Sequence, residues 1–171
     1  YATAVAKEMG AGKVIVIDGV PERLELAAAF GADEIIDLRE VKTPEARVAR
    51  VKELTGGWGA DVVAELVGHV RVVEEGFQMM APGGRYLGIG NINVGMRTPF
   101  DPSWLILGNR TFYGVAHYEA ETLKEALDFM ERTRNRYPYH RILSHKFPLS
   151  AINEAFAEQD KGHVTRASLV P

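Results

Sequence analysis

The sequence alternates between short apolar runs and amphipathic helical runs, and this alternation constrains the fold more than any other feature. Apolar runs with strand character occupy residues 14–18, 34–38, 61–67 and 85–90, and helical runs occupy residues 2–9, 21–30, 43–55 and 71–80. Strand–helix repeats about 25 to 30 residues apart need crossover connections, which make the strands parallel and cover both faces of the sheet. The sequence therefore predicts an α/β fold with a doubly wound parallel sheet.

Proline and glycine mark the ends of the predicted helices. Pro21 lies in the first turn of one helix, and Thr43 can cap the next helix with Pro44 at its first position. The sequence Ala-Pro-Gly-Gly at 81–84 predicts a turn that closes the helix 71–80 before the next strand.

The repeat stops after residue 90. The pattern there predicts a loop at 91–102, helices at 103–108, 119–136 and 150–159, and strands at 111–117 and 167–170. We expect residues 1–117 to form the sheet domain and residues 118–171 to belong to a second structural unit.

Asp18 ends the first apolar run, where a dinucleotide-binding fold places the acid that binds the adenosine ribose hydroxyls. The alternative is an aspartate that only forms a turn. A carboxylate at this position repels a 2′-phosphate and so favours NAD over NADP. Arg23 is the nearby residue that could instead bind that phosphate.

The first residues of the chain also bear on this interpretation. Tyr1 leads directly into an Ala-rich helical run without a capping side chain. The glycine-rich phosphate loop of a dinucleotide fold lies about 20 residues before its acid. Counting back from Asp18 runs past Tyr1, so we expect the chain to begin after that loop and after the first strand.

Glycines end two later strands, at Gly68 and at Gly90, where an open parallel sheet binds its ligand. The alternative is that these glycines serve only as turn residues.

No His-x-x-x-His pair occurs, and we interpret the histidines as solvated or capping residues rather than metal ligands; they are His69, His117, His140, His145 and His163.

Composition excludes several classes of function. The net charge of −3 provides no basic surface for nucleic acid or an anionic membrane. No apolar run approaches the roughly 20 residues of a membrane span. The 171 residues contain no cysteine, which excludes disulfides and thiolate-ligated metal within them and favours a cytoplasmic setting.

An ordered set of motifs resembles the carboxyl-terminal, coenzyme-binding half of zinc-type medium-chain alcohol or polyol dehydrogenases. The motifs are Val-Ile-Val-Ile-Asp at 14–18, Arg-Leu-Glu-Leu-Ala at 23–27, Gly-Ala-Asp-Glu-Ile-Ile-Asp at 31–37, Gly-Ala-Asp-Val-Val-Ala-Glu-Leu-Val-Gly at 59–68, Ala-Pro-Gly-Gly-Arg-Tyr-Leu-Gly-Ile-Gly at 81–90 and Ile-Asn-Glu-Ala-Phe at 152–156. The resemblance extends over essentially the whole chain. It implies a Rossmann sheet that lacks its first strand, with a carboxyl-terminal part of the catalytic domain from about Tyr118.

The resemblance also implies a coenzyme site and an activity. It implies hydride transfer from an alcohol to NAD, and zinc in the complete enzyme with ligands outside this chain. The implied coenzyme-binding residues are Asp18 and Arg23 at the ribose; Val67, Gly68 and His69 on the adenosine side; Ile89, Gly90, Asn91, Val115 and His117 at the nicotinamide carboxamide; and Arg166 at the pyrophosphate.

Two other functions and one mode of assembly stay open at this point. A zinc-free, NADP-dependent quinone-reductase-type enzyme shares the fold, although Asp18 counts against it. A non-catalytic nucleotide-binding or assembly module is the other alternative.

The run from Thr111 to Val115 has none of the charges, prolines or bulges that keep an exposed edge strand from pairing with another chain. We therefore expect a homodimer, or a dimer of dimers, through that edge.

Overall fold

The computed structural model describes residues 1–92, 94–162 and 164–171. They form two compact units. Unit 1 comprises Tyr1–Glu40 and Ala120–Pro171, and unit 2 comprises Val41–Glu119. Among the described residues, no helix has both the length and the apolar character that a membrane crossing demands.

The described residues form seven α-helices and seven strands. They are α1 (Ala2–Glu8), β1 (Ile15–Asp18), α2 (Pro21–Ala29), β2 (Glu34–Asp37), α3 (Pro44–Leu54), β3 (Ala60–Glu65), α4 (Arg71–Met79), β4 (Met80–Gly88), α5 (Ser103–Ile106), β5 (Thr111–Gly114), α6 (Ala120–Thr133), β6 (His145–Pro148), α7 (Ile152–Asp160) and β7 (Ala167–Val170), with 3₁₀ turns at Tyr139–Arg141 and Leu149–Ala151.

Unit 1 contains two parallel strand pairs, β1 with β2 and β6 with β7. Its apolar cluster joins the two parts of the chain, because Ala4 and Phe30 pack with Tyr137 and Ile142. The rings of Phe30 and Tyr137 stack with 5.7 Å between their centroids. Glu8 adds a polar link, since its Oε1 accepts a hydrogen bond of 2.8 Å from the Tyr137 hydroxyl. The carboxyl-terminal segment therefore packs on the β1–β2 segment.

Unit 2 is built on a three-stranded parallel sheet in the order β3-β4-β5. The rings of Phe77 and Tyr86 stack at 4.7 Å in its core, next to the buried Met80. The Tyr86 hydroxyl is buried without a hydrogen-bond partner in the described part of the chain. Burial raises the pKa of Tyr86 above its ordinary value, and the Glu65 and Glu75 carboxylates act in the same direction.

The α/β class and the parallel strand pairing agree with the sequence prediction. Capping at the start of α3 is confirmed, because Thr43 Oγ1 accepts a hydrogen bond of 3.2 Å from the Ala46 N–H and Pro44 occupies the first turn. The boundary between residues 1–117 and 118–171 stays a prediction.

The predicted start of the fourth strand at residue 85 is wrong, whereas a turn at 81–84 is present as an interruption of that strand, with a φ of +74° at Gly83. Strand β4 begins at Met80, directly after α4, and its register against β3 shifts between Ala60 and Val62. The Gly83 N–H donates a 2.7 Å hydrogen bond to the Gly108 carbonyl. The Pro-Gly-Gly sequence therefore makes a turn inside the irregular first part of β4.

Strand β6 was not among the predicted elements. It is four residues long and obtains its backbone partners from β7, with His145 opposite Ala167. Among the described residues its partner strand lies about 20 residues further along the chain, and such a strand leaves little local signal.

Candidate functional site

Three strand ends of unit 2 lie side by side at the carboxyl edge of its sheet. Glu65 of β3 is paired with Gly88 of β4, and Gly88 is paired with Gly114 of β5. The Val115 N–H donates a 2.9 Å hydrogen bond to the Gly88 carbonyl just beyond these pairs. The segments that follow the three strands therefore leave the sheet together. They contain all the residues of unit 2 that the sequence predicts to bind coenzyme.

Two of these segments touch at Gly68 and Gly90. Gly68 has a φ of +81°, and a Cβ added to it would lie 2.7 Å from the Gly90 carbonyl oxygen. A Cβ added to Gly90 would lie 2.5 Å from the Gly68 nitrogen. Neither position has room for a side chain, and the φ of Gly68 is unfavourable for any other residue. Both glycines are thus required by the close approach of the two backbones.

Gly88 has a different structural role. A Cβ added to it would lie 2.8 Å from the Phe112 ring of the neighbouring strand. The space that this glycine leaves is therefore filled by a side chain of the protein itself.

Glu65 connects the same two segments, and sequence reasoning did not single it out. Its side chain is buried, with 5% of the residue exposed. Oε1 accepts hydrogen bonds of 2.7 Å from the N–H groups of both Val67 and Gly68, and Oε2 accepts one of 3.1 Å from the Asn91 N–H. The Glu65 carbonyl also accepts hydrogen bonds from the Ile89 and Gly90 N–H groups, at 3.1 and 2.9 Å.

Asn91 has the polar atom that best fits a ligand in unit 2. Its side-chain Oδ1 is buried and has no hydrogen-bond partner among the described residues. A buried acceptor without a donor is costly, so such an atom suits a ligand that donates a hydrogen bond. An amide such as the nicotinamide carboxamide has two N–H donors. The predicted role of the segment that contains Asn91 is chemically consistent with this atom.

The remaining predicted residues of unit 2 are on its surface. Val67 is 68% exposed and Val115 is 46% exposed, and both histidines of the set are exposed as well. His69 has a structural role, because its Nδ1 accepts a 3.2 Å hydrogen bond from the Arg71 N–H at the start of α4. His117 lies in the segment between β5 and α6.

Asp18 stands at the end of β1 in unit 1, as predicted. Its Oδ1 accepts hydrogen bonds of 2.7 and 2.9 Å from the N–H groups of Gly19 and Val20. Its Oδ2 lies 4.0 Å from Nη1 of Arg23, and the Asp18 side chain is 31% exposed. One carboxylate oxygen thus holds the turn, and the other can accept hydrogen bonds from a ligand.

Asp37 is the residue opposite Asp18 at the end of β2. Hydrogen bonds from the Arg39 side chain and from its backbone N–H hold the pKa of Asp37 below its ordinary value. The Asp37 carboxylate is therefore engaged within the protein.

Arg166 precedes β7, also in unit 1. Its backbone carbonyl accepts a 3.2 Å hydrogen bond from the Ser144 N–H. Its side chain is exposed, and the guanidinium makes no hydrogen bond or ion pair with the described residues. Nearby, a Cβ added to Gly162 would lie 3.4 Å from the Val20 side chain. The turn before β7 is therefore close to the turn that follows Asp18.

No group of three or more His, Cys, Asp or Glu residues that could hold a metal ion exists within residues 1–92, 94–162 and 164–171. The described residues thus do not fit zinc. His163, one of the five histidines considered above, lies outside the described residues.

Comparison with known proteins agrees with the geometry. The profile of a family described as zinc-binding dehydrogenases matches residues 1–132. The chain is 30% identical to a 5-exo-hydroxycamphor dehydrogenase from Pseudomonas putida, over 90% of this chain and 42% of that protein. It is also 30% identical to an L-threonine 3-dehydrogenase from Bacillus licheniformis, over 99% of this chain and 47% of that protein.

The similarity extends to three-dimensional structure. An alcohol dehydrogenase from Thermotoga maritima superposes with a TM-score of 0.89 at 30% identity, over 99% of this chain and 46% of that one. The chain spans a little under half the length of these similar proteins.

Proposed function

The chain belongs to the zinc-binding dehydrogenase family, and on that basis we propose that it forms the coenzyme-binding portion of an NAD-dependent, zinc-type alcohol or polyol dehydrogenase. The bound NAD would supply the acceptor for a hydride removed from an alcohol. The described residues bind and orient that coenzyme in this proposal.

The observation that carries the proposal is the state of the Asp18 carboxylate. Because Oδ1 is fixed by two backbone N–H groups, Oδ2 is held at the end of β1 with an exposed face. A carboxylate oxygen there can accept the ribose hydroxyls, and hydrogen bonds to charged groups contribute about 1.5–3 kcal/mol each. The same negative charge disfavours a 2′-phosphate. This supports NAD over NADP.

The other predicted residues would bind different parts of the coenzyme. In this proposal Arg23 lies beside the ribose end, and Arg166 provides its unengaged guanidinium to the pyrophosphate. Gly68 and Gly90 hold the two segments in close contact. The residues assigned to the adenosine side are Val67, Gly68 and His69, and those assigned to the carboxamide are Ile89, Gly90, Asn91, Val115 and His117.

The zinc ligands of the complete enzyme would lie outside the described residues.

We also propose how copies of the protein associate. Strand β5 is paired with β4 on one side, and Phe112 and Tyr113 of β5 are 47% and 49% exposed. An uncharged edge strand can pair with a second copy. An antiparallel contact from Thr111 to Val115 would give a homodimer, or a dimer of dimers. We propose separately that the protein is cytoplasmic, because its sequence contains no cysteine.

The experiment that tests the proposed function replaces Asp18 in the full-length protein. Asp18→Asn keeps an oxygen to accept the Gly19 and Val20 N–H groups and removes the charge, whereas Asp18→Gly removes both. Each variant should raise the dissociation constant for NAD, by roughly 10- to 150-fold for the loss of one charge-assisted bond. Asp18→Gly should also shift kinetic preference toward NADP, as measured by kcat/KM with both coenzymes.

Asp37→Asn is the matched control, because it removes a strand-end carboxylate that Arg39 already engages. It should leave the coenzyme preference unchanged. If Asp18→Asn binds NAD as tightly as the wild-type protein does, Asp18 is only a turn residue and the proposal loses its main support.

A further inference from the structure

We propose that Glu65 is a positioning residue for the nicotinamide end of the coenzyme site, an inference that rests on the proposed function. Its carboxylate spans two segments that follow neighbouring strands, residues 66–69 after β3 and residues 89–91 after β4. We call this arrangement the Glu65 clamp. Each oxygen of the carboxylate serves one segment: Oε1 binds the N–H groups of Val67 and Gly68, and Oε2 binds that of Asn91.

The clamp is an unusual use of a buried charge. Within the described chain, Glu65 takes part in no ion pair with a Lys or Arg, although only 5% of the residue is exposed. Burying a carboxylate without a cation is unfavourable unless hydrogen bonds replace its hydration. Three backbone N–H groups do so here, and hydrogen bonds to an ionised acceptor are stronger than those between neutral groups. All three donors belong to the segments that the proposed function assigns to the coenzyme.

The clamp needs two acceptor oxygens, one for each segment, on a side chain as long as that of glutamate. A glutamine has one carbonyl oxygen and one NH₂ group, so it can satisfy one segment but presents a donor to a donor at the other. The two bonds from Val67 and Gly68 favour placing the glutamine oxygen there, which leaves the Asn91 N–H facing the NH₂ group. Glu65→Gln should therefore release residues 89–91 selectively.

Glu65 affects the proposed site through Asn91. Its backbone N–H is held by Oε2 of Glu65, and its own Oδ1 is the buried acceptor without a partner. Oε2 of Glu65 thus determines where that acceptor stands. Because small displacements at a binding site reduce both affinity and reactivity, loss of the clamp should weaken the nicotinamide end more than the adenosine end.

The experiment compares Glu65→Gln with the wild type in the full-length protein. Glu74→Gln is the matched control, since Glu74 is a glutamate of unit 2 whose side chain accepts a hydrogen bond from Gln78 on α4, away from these segments, and takes no part in a buried ion pair among the described residues. Amide hydrogen exchange is measured over residues 66–69 and 89–91. We expect exchange at Asn91 to rise about tenfold or more in Glu65→Gln, with little change at Val67 and Gly68 and no local change in the control.

Calorimetric titration with NAD and with ADP-ribose gives the second readout, because ADP-ribose lacks the nicotinamide ring. Glu65→Gln should raise the dissociation constant for NAD about tenfold and leave that for ADP-ribose nearly unchanged. A residue that only stabilises the fold would change both constants together.

Several results would overturn the inference. Rapid exchange of the Val67, Gly68 and Asn91 amides in the wild-type protein would show that no clamp forms, and this measurement does not depend on any variant folding. An equal loss of affinity for both ligands in Glu65→Gln, or no loss, would remove the positioning role. If the wild type bound neither ligand, the proposed function would fail and the positioning role with it, while the exchange result would still show whether the clamp exists.

Discussion

Removing one partner of the buried ion pair between Arg47 and Glu75 should destabilise unit 2 strongly. The pair joins α3 to α4 through two hydrogen bonds, of 2.6 Å from Arg47 Nε to Oε1 and 2.7 Å from Nη2 to Oε2. The two side chains are only 10% and 9% exposed. Arg47 also donates a 3.0 Å hydrogen bond from Nη1 to the Val41 carbonyl. Most hydrogen-bonding capacity of the pair is therefore used inside the protein.

The magnitude follows from this burial. Breaking a buried pair leaves an uncompensated charge and costs about 3–5 kcal/mol, whereas replacing both partners by apolar residues is often neutral or stabilising. We expect Glu75→Leu and Arg47→Met each to lower the free energy of unfolding of unit 2 by about 3–5 kcal/mol. The double variant should recover most of that loss, so the coupling energy should reach at least about 3 kcal/mol.

Urea unfolding of the four proteins measures this double-mutant cycle. Intrinsic fluorescence is a suitable probe, because Trp104 packs against the core of unit 2 and reports on its unfolding. If the double variant loses the sum of the two single losses, the two residues do not interact as the structure shows. That result would refute the argument from buried charge.

The remaining predictions concern the coenzyme and the assembly. Arg166→Ala in the full-length protein should raise the dissociation constants for NAD and ADP-ribose alike, by about tenfold or more, because both ligands contain the pyrophosphate; unchanged titration curves for both would refute the contact. Sedimentation of the full-length protein should give a dimer or tetramer, and Tyr113→Lys should shift it toward smaller species because a charge on the edge strand opposes pairing. A monomeric wild type would contradict the proposed interface.

Much of the fold could be predicted because its signals are local. Thr43 and Pro44 mark the start of α3, and the apolar run before Asp18 marks β1, each within a few residues. The start of β4 could not be predicted in this way. Pro-Gly-Gly is a turn signal, and it lies inside a strand here because Met80 already pairs with Ala60 of β3 before the turn and Arg85 pairs with Val62 after it.

The site could be predicted only in part, for a similar reason. Asp18 is recognisable from its position at a strand end. Glu65 is also at a strand end, but there a carboxylate is normally solvated, and its burial follows from the contact between Gly68 and Gly90. That contact joins segments about 20 residues apart in sequence and depends on tertiary packing. The glycines could be singled out from the sequence, whereas the burial of the Glu65 carboxylate beside them could not.

The central claim is that this chain provides an NAD site whose coenzyme preference is set by Asp18. Calorimetric titration of the full-length wild-type protein with NAD and with NADP tests it most directly. The account predicts that NAD binds at least about tenfold more tightly than NADP, because the 2′-phosphate would meet the Asp18 carboxylate. Equal or tighter binding of NADP, or binding of neither coenzyme, would contradict it.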